Sequence, residues 1–349
     1  MINGCHTAII TPFDENGVDR EGMARLVDFQ VSNGVSGVLA VGTTGESPVL
    51  DWEEHNAVIG AVAKYCKGKC TVIAGTGSNN TAEALKASTY AVSAGVDALL
   101  LVDPYYNGPS SLEIRREYLE PVAAAFPDTG IIPYIIPGRT GCQLLPEDIA
   151  LAHERYPNIH AIKEATGSRE NMKRTRELLG REFRILSGDD PMTCSIMLEP
   201  GIRAAGGISV MSNIAPKAMS DMIRLAAEGK AEEAEALDRA LSPLTRIVMI
   251  RTREATPYGD VECRARNPLP VKILMNLLGM PSGPCRPPLG KITPTALEII
   301  AGAAREVWEK NPEILTPAAK TFDLDLEDRL SPERLAKDPA VKNLVYDAY

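Results

Sequence analysis

The sequence predicts an α/β protein, a (β/α)8 TIM barrel with a C-terminal helical region. Three observations carry that expectation. Short apolar runs recur at 5–13, 35–42, 70–77, 96–104, 130–137, 159–166, 183–188 and 204–211, with charged segments of helical periodicity between them. Strand and helix in strict alternation imply a parallel sheet covered by helices, and eight such units in roughly 220 residues is the count of a closed barrel. The runs are near-continuously apolar, as strands buried on both faces are. The first run closes on Thr11-Pro-Phe-Asp14, where a doubly wound dinucleotide-binding sheet would carry a glycine fingerprint. Gly75-Thr-Gly77 lacks the third glycine and reads as a tight strand-to-helix turn.

Taken in order, the helical segments between the runs are 20–32, 52–64, 81–93, 112–125, 146–155, 169–179 and 190–198. After Asn213-Ile-Ala-Pro216 the strand pattern stops, and 217–228, 231–250, 269–278 and 293–309 read as helices. Thr293 followed by Pro294 is a helix N-cap with proline at the first helical position. Residues 251–266, with Pro257, Gly259 and mixed charge, read as a loop insertion. The expected organisation is a catalytic barrel over 1–225, a helical region over 226–310 and a charged extension over 311–349. In the extension, Ser331-Pro-Glu-Arg334 can start one short helix. The extension is read as docking on the body, docking on another subunit, or staying mobile.

Composition excludes several classes. A net charge of -9 argues against nucleic-acid binding, and 44% hydrophobic with 24% charged residues is ordinary for a globular chain. No apolar run reaches the length of a membrane span, and the N-terminus lacks a basic region followed by an apolar stretch. The seven cysteines are scattered; only Cys66 and Cys70 are close, and nothing completes a metal site with them. The expectation is a cytoplasmic protein with reduced thiols and no metal.

The distinctive polar residues fall at predicted strand ends, where barrel enzymes place their chemistry. Lys163 ends the apolar run Ile159-His-Ala-Ile-Lys163. A lysine held against apolar surface loses its preference for the cation, and a neutral amine attacks carbonyl carbon. Taken alone it would be an ordinary lysine snorkelling from a strand end. One strand earlier, Tyr134 is an acid/base candidate, and Arg139 in Tyr134-Ile-Ile-Pro-Gly-Arg-Thr-Gly141 suits a carboxylate. Gly42-Thr-Thr-Gly-Glu-Ser47 offers N–H groups and hydroxyls to an anion. Asp103-Pro-Tyr-Tyr-Asn107 presents two tyrosines, and Gly206-Gly-Ile-Ser209 permits close ligand approach. Asp189 and Asp190 read as a polar turn and N-cap before Pro191. The combination suits an α-keto acid held as an imine on Lys163, and aldol-type carbon–carbon chemistry without metal.

These motifs, with Pro104-Tyr-Tyr-Asn107, Ile162-Lys-Glu-Ala-Thr-Gly167, Ser187-Gly-Asp-Asp190 and Asn267-Pro-Leu-Pro-Val-Lys272, resemble the 4-hydroxy-tetrahydrodipicolinate synthase (dihydrodipicolinate synthase) family of the N-acetylneuraminate lyase superfamily. The likeness covers about residues 1–305. It implies that Lys163 forms an imine with pyruvate and that Tyr134 shuttles its protons. It implies that Thr44 and Tyr106 complete a proton relay, with Tyr106 reaching into a neighbouring subunit of a homotetramer. It further implies that Thr43 and Thr44 hold the pyruvate carboxylate, that Arg139 takes the carboxylate of L-aspartate 4-semialdehyde, and that Gly188 and Ile208 supply main-chain groups. No cofactor beyond the covalent imine is implied. Ser47, Trp52, His55, Asn79, Glu83 and Tyr105 match an allosteric L-lysine site. The sequence departs from the family at Ile135, where asparagine is common, and at Asp103, where threonine is. Two other readings stay open: a pyruvate-dependent aldolase acting on a sugar acid or another aldehyde, and a silent keto-acid-binding paralogue.

Overall fold

The computed structural model describes residues 2–347. Eight parallel strands close into a barrel: β1 (Gly4–Ala8), β2 (Gly37–Ala40), β3 (Thr71–Gly75), β4 (Ala98–Val102), β5 (Gly130–Ile135), β6 (Ala161–Glu164), β7 (Arg184–Ser187) and β8 (Gly206–Ser209). Each strand pairs with its sequence neighbour, and β1 closes the ring by pairing with both β2 and β8, as in His6↔Gly37 and Gly4↔Gly206. A Cβ at Gly206 would lie 2.0 Å from the Gly4 carbonyl oxygen, and its φ is +144°. Only glycine fits that closure.

Period-two alternation sorts the side chains into two layers. Leu39, Ile73, Leu100, Ile132, Tyr134, Leu186 and Ile208 fill the lumen. Ile131 and Ile135 pack instead in the larger cluster between sheet and helices. Ile135 therefore faces the helix layer and not the lumen. Aspartate, asparagine and serine caps start the covering helices; Asp19, Asp51, Asn80 and Ser168 each accept from a first-turn N–H. The segment expected as one helix over 112–125 is interrupted: Ile114–Leu119 is a π-helical stretch between Ser111–Glu113 and Glu120–Ala125. Pro121 has no N–H for a continuous α ladder, and the widened turns lie directly before it.

The 251–266 segment is not a loop. It forms an antiparallel hairpin of β9 (Met249–Thr256) and β10 (Gly259–Arg266), and the preceding helix ends at Arg246. Ile250 and Thr252 turn inward, and Arg251 pairs with Glu262 across the strands at 3.3 Å. The hairpin tip carries Tyr258, which is fully exposed.

The C-terminal extension docks on its own barrel. Helices Thr316–Phe322, Leu326–Arg329, Pro332–Lys337 and Pro339–Lys342 follow one another. They bury Leu315, Ala318, Phe322, Leu326 and Leu330 in the main core. The Phe322 ring meets Phe29 edge-on at 5.1 Å under the Arg25 guanidinium. The sequence signal at Ser331 marks a real cap, on the third of those helices. Among the described residues no helix is long and apolar enough to cross a membrane, and no His, Cys, Asp and Glu cluster is arranged to hold a metal ion.

Candidate active site

Adjacent strands bring the first two residues together. Tyr134 on β5 and Lys163 on β6 are register partners, and both side chains point into the lumen. The Lys163 Nζ lies 4.2 Å from the centroid of the Tyr134 ring. Lys163 is 4% exposed, with no carboxylate at ion-pair distance and no hydrogen bond to its amine among the described residues. Burial pulls its pKa from 10.5 down to about 7; Asp190 acts against that shift and Arg139 with it. Gly188 leaves room beside the amine, since a Cβ there would stand 3.2 Å from Lys163 Cε.

Burial raises the Tyr134 phenol, while Arg139, the Thr43 hydroxyl and Arg266 favour its ionised form. Of the two threonines it is the Thr43 hydroxyl that bears on the phenol, whereas the sequence reading puts Thr44 in the relay. Thr44 is buried elsewhere, and its Oγ1 accepts from Asn267 Nδ2 at 2.9 Å. The backbone N–H groups of Gly45, Glu46 and Ser47 are spent on Gly42 and Thr43 carbonyls. Those of Thr43 and Thr44 have no partner among the described residues. Two adjacent backbone donors are therefore left available at the glycine-flanked turn.

The turn is held rigid from behind. Glu46 takes a left-handed φ of 58° and is 2% exposed. Its carboxylate receives Lys272 Nζ at 2.6 Å and the Arg286 N–H at 2.8 Å, while Thr11 Oγ1 donates to the Gly45 carbonyl.

A cavity of about 250 Å³ opens at the C-terminal ends of the strands, walled by Thr43, Ser47, Tyr105, Tyr134, Ile136 and Arg139. Lys163 adjoins it through the Tyr134 ring. Arg139 rides on the short turn Pro137–Thr140, which Gly141 ends at φ 73°, and donates from Nη2 to the Asn267 carbonyl at 2.9 Å. Ile208 contributes to the lumen layer. Tyr106 is apart from the rest: it has φ 84° and is 91% exposed on the rim.

The lysine-site candidates fall in two groups. The Ser47 hydroxyl is 3.3 Å from His55 Nε2, and Trp52 meets His55 edge-on at 5.0 Å. Burial holds His55 neutral, with a pKa of about 4. Glu83 receives the Ser78 hydroxyl at 2.6 Å and lies close enough to raise the Tyr105 phenol beyond what burial does. Asn79 is exposed beside them. Ser47 and Tyr105 join the groups at the cavity wall.

Three residues matter here in ways the sequence does not show, two of them inside motifs quoted above and Arg266 outside any. Asn267, Arg266 and Glu46 act through side-chain contacts across more than 100 residues of chain. In sequence Asp189 and Asp190 read as a polar turn and N-cap, but the helix that Asp190 opens has no side-chain cap, and Asp190 acts elsewhere. Its Oδ2 accepts from the Val210 and Met211 N–H groups at 2.9 and 2.7 Å, locking the end of β8 beside Lys163.

The model of the dihydrodipicolinate synthetase family matches residues 1–305. A 4-hydroxy-tetrahydrodipicolinate synthase of Methanococcus maripaludis is 41% identical over 82% of this chain and 92% of its own length. The solved structure of that enzyme from Methylacidiphilum fumariolicum superimposes with a TM-score of 0.82 at 36% identity, covering 91% of this chain and 99% of its own. One from Cyanidioschyzon merolae, solved with lysine bound, has a TM-score of 0.79 at 33% identity, covering 87% of this chain and 98% of its own. With a family model spanning most of its length and relatives near 40% identity behind it, this chain belongs to the dihydrodipicolinate synthetase family.

Proposed function

We propose that this enzyme condenses pyruvate with L-aspartate 4-semialdehyde to 4-hydroxy-tetrahydrodipicolinate, the lyase chemistry of its family and a step of lysine and diaminopimelate biosynthesis in the cytoplasm. The observation that carries this reading is the buried Lys163 amine, which has no hydrogen bond or ion pair among the described residues and a pKa near 7. The neutral amine adds to the keto carbon of pyruvate, water leaves, and a protonated imine forms. The imine draws electrons, so the pyruvate methyl loses a proton and becomes an enamine carbon. That carbon attacks the aldehyde. The substrate's own amine then displaces Lys163, closing the ring and freeing the enzyme.

The neighbouring residues take roles from their positions. Tyr134 gives and takes the protons at the imine, with the Thr43 hydroxyl as its partner. The free Thr43 and Thr44 N–H groups receive the pyruvate carboxylate, and Thr44, tied to Asn267, holds the turn in shape. Arg139 meets the carboxylate of the aldehyde. Gly188 and Ile208 border the pyruvate. Tyr106 completes the relay in a neighbouring subunit of a homotetramer; its 91% exposure and strained φ suit a side chain that reaches outward. L-lysine acts as an effector at Ser47, Trp52, His55, Asn79, Glu83 and Tyr105, where Glu83 offers a carboxylate to an ammonium group.

The test is borohydride trapping of [¹⁴C]pyruvate together with turnover of the semialdehyde, with N-acetylmannosamine as the rival acceptor. A Lys163 adduct and rapid semialdehyde consumption are expected. An adduct with turnover of N-acetylmannosamine alone would assign a sugar-acid aldolase. No adduct would remove Lys163 as the nucleophile. Activity unchanged in millimolar L-lysine would remove the effector.

A further inference from the structure

Arg266 is the last residue of the hairpin, and its guanidinium reaches the Pro137–Thr140 turn that carries Arg139. There it and Arg139 are cross-linked reciprocally. Arg139 Nη2 donates to the carbonyl of Asn267, the neighbour of Arg266, at 2.9 Å. Arg266 Nη1 donates to the carbonyl of Gly138, the neighbour of Arg139, at 3.2 Å. Each bond uses one N–H of a guanidinium that has five donors. Neither arginine has a carboxylate at ion-pair distance among the described residues. Two like charges are thus fixed at one turn, Arg139 on the cavity wall and Arg266 tied next to it, with further donors on each. Each is felt by the other groups there: Arg266 lowers the Arg139 pKa after burial and lowers that of Tyr134 after Arg139. Such a pair is unfavourable until an anion arrives, and then both charges favour it.

We infer that Arg266 is a second carboxylate-binding residue, and that Arg139 and Arg266 together grip the carboxylate of the acceptor aldehyde. This rests on the condensation proposed above and adds a specificity determinant to it. The two backbone bonds hold the guanidiniums in place before the substrate enters, so little side-chain freedom is lost on binding. The role of the hairpin follows: its strands pin Arg266 and Asn267 beside the turn that carries Arg139. A neutral polyhydroxy acceptor gains nothing from a doubled cation, whereas an amino-acid aldehyde does.

The experiment compares the wild-type enzyme, Arg266→Gln and Arg266→Lys on L-aspartate 4-semialdehyde and on its carboxylate methyl ester, with pyruvate trapping in parallel. Loss of one charge-assisted contact is expected to raise the KM for the acid about 10- to 100-fold in Arg266→Gln. Arg266→Lys should recover part of that loss, and the ester should be affected far less than the acid. Both variants should still form the pyruvate adduct. Equal loss on acid and ester would make Arg266 only a tie between loops and overturn the inference. So would an unchanged KM for the acid. A wild-type enzyme that forms no adduct would instead overturn the condensation itself, and that outcome is distinct from the other two.

Discussion

Two lysines are buried among the described residues, and their surroundings teach what burial alone does not. Lys163 is 4% exposed and Lys272 is 1% exposed. Each Nζ stands over an aromatic ring, Tyr134 at 4.2 Å and Phe13 at 4.3 Å. There the likeness ends. Lys272 donates to Glu46, to the Thr11 carbonyl and to the Pro284 carbonyl at 2.6, 3.0 and 3.0 Å, so all three of its N–H groups are used. Lys163 has a ring, a distant carboxylate and an open neighbour at Gly188. Burial with full satisfaction makes a rivet; burial without it leaves the amine that we propose as the nucleophile. The rivet serves that amine, because Glu46 holds the turn that carries Thr43 and Thr44.

The largest expected effects come from removing each amine. Lys163→Ala should leave a folded protein with no pyruvate adduct and turnover reduced by more than about 10³-fold, since no other amine replaces a covalent nucleophile. Lys163→Met should also be more stable than wild type near pH 7, by roughly 2–4 kcal/mol. The sign follows from the depressed pKa: its stability contribution is present above 10.5 and is lost as pH falls through about 7. The gap should therefore close as pH rises toward 10.5, as denaturant titrations can show. Lys272→Met should do the opposite. It strands the buried Glu46 carboxylate and should cost about 3–5 kcal/mol, with activity falling in step with the folded fraction. Activity persisting at full stability in Lys272→Met would erase the contrast.

Next is Tyr134→Phe, which keeps the ring beneath Lys163 but removes the proton carrier. A fall in kcat of about 10²–10⁴-fold is expected, with the fold intact by circular dichroism. The rate of adduct formation should also track the Lys163 amine: flat above about pH 7 and falling near tenfold per unit below it. A limb displaced toward pH 10 would mean that the amine is solvated in the working enzyme.

Much of this was legible in the sequence because the signals are local. A strand buried on both faces is written in consecutive residues, and so are Lys163 at a strand end and Arg139 on its Pro-Gly turn. The hairpin is hidden in the sequence because its alternation sets charged residues against small or polar ones, as in Arg251, Thr252 and Arg253, and apolar residues such as Val261 are few. Thr43 and Thr44 are neighbours, and spacing cannot say which of them turns toward a tyrosine on another strand. The contacts of Arg266, Asn267 and Glu46 exist only once distant segments meet, so no window of sequence contains them.

A third buried charge extends the comparison to the other face of the sheet. Asp103, which departs from the family's usual residue, is 1% exposed, and its Oδ2 accepts from the Leu144 N–H at 3.0 Å. Burial raises its pKa from 3.8 to about 7; the Leu144 bond opposes the shift and Glu164 adds to it. Unlike Lys163, it lies outside the cavity lining, so its titration should register in stability and little in chemistry. A raised acid pKa means that the folded state holds the proton more tightly. Its contribution is complete below 3.8 and is lost as pH rises through about 7. Asp103→Asn keeps an acceptor for Leu144 and removes the titration. The variant should match wild type near pH 4 and exceed it increasingly toward pH 8.5, with a gap growing by about 2 kcal/mol between pH 5 and pH 8.5. Urea midpoints at the three pH values measure this directly. Parallel curves would mean that Asp103 stays ionised throughout, and that the outer face tolerates a buried carboxylate as readily as the rivet tolerates its lysine.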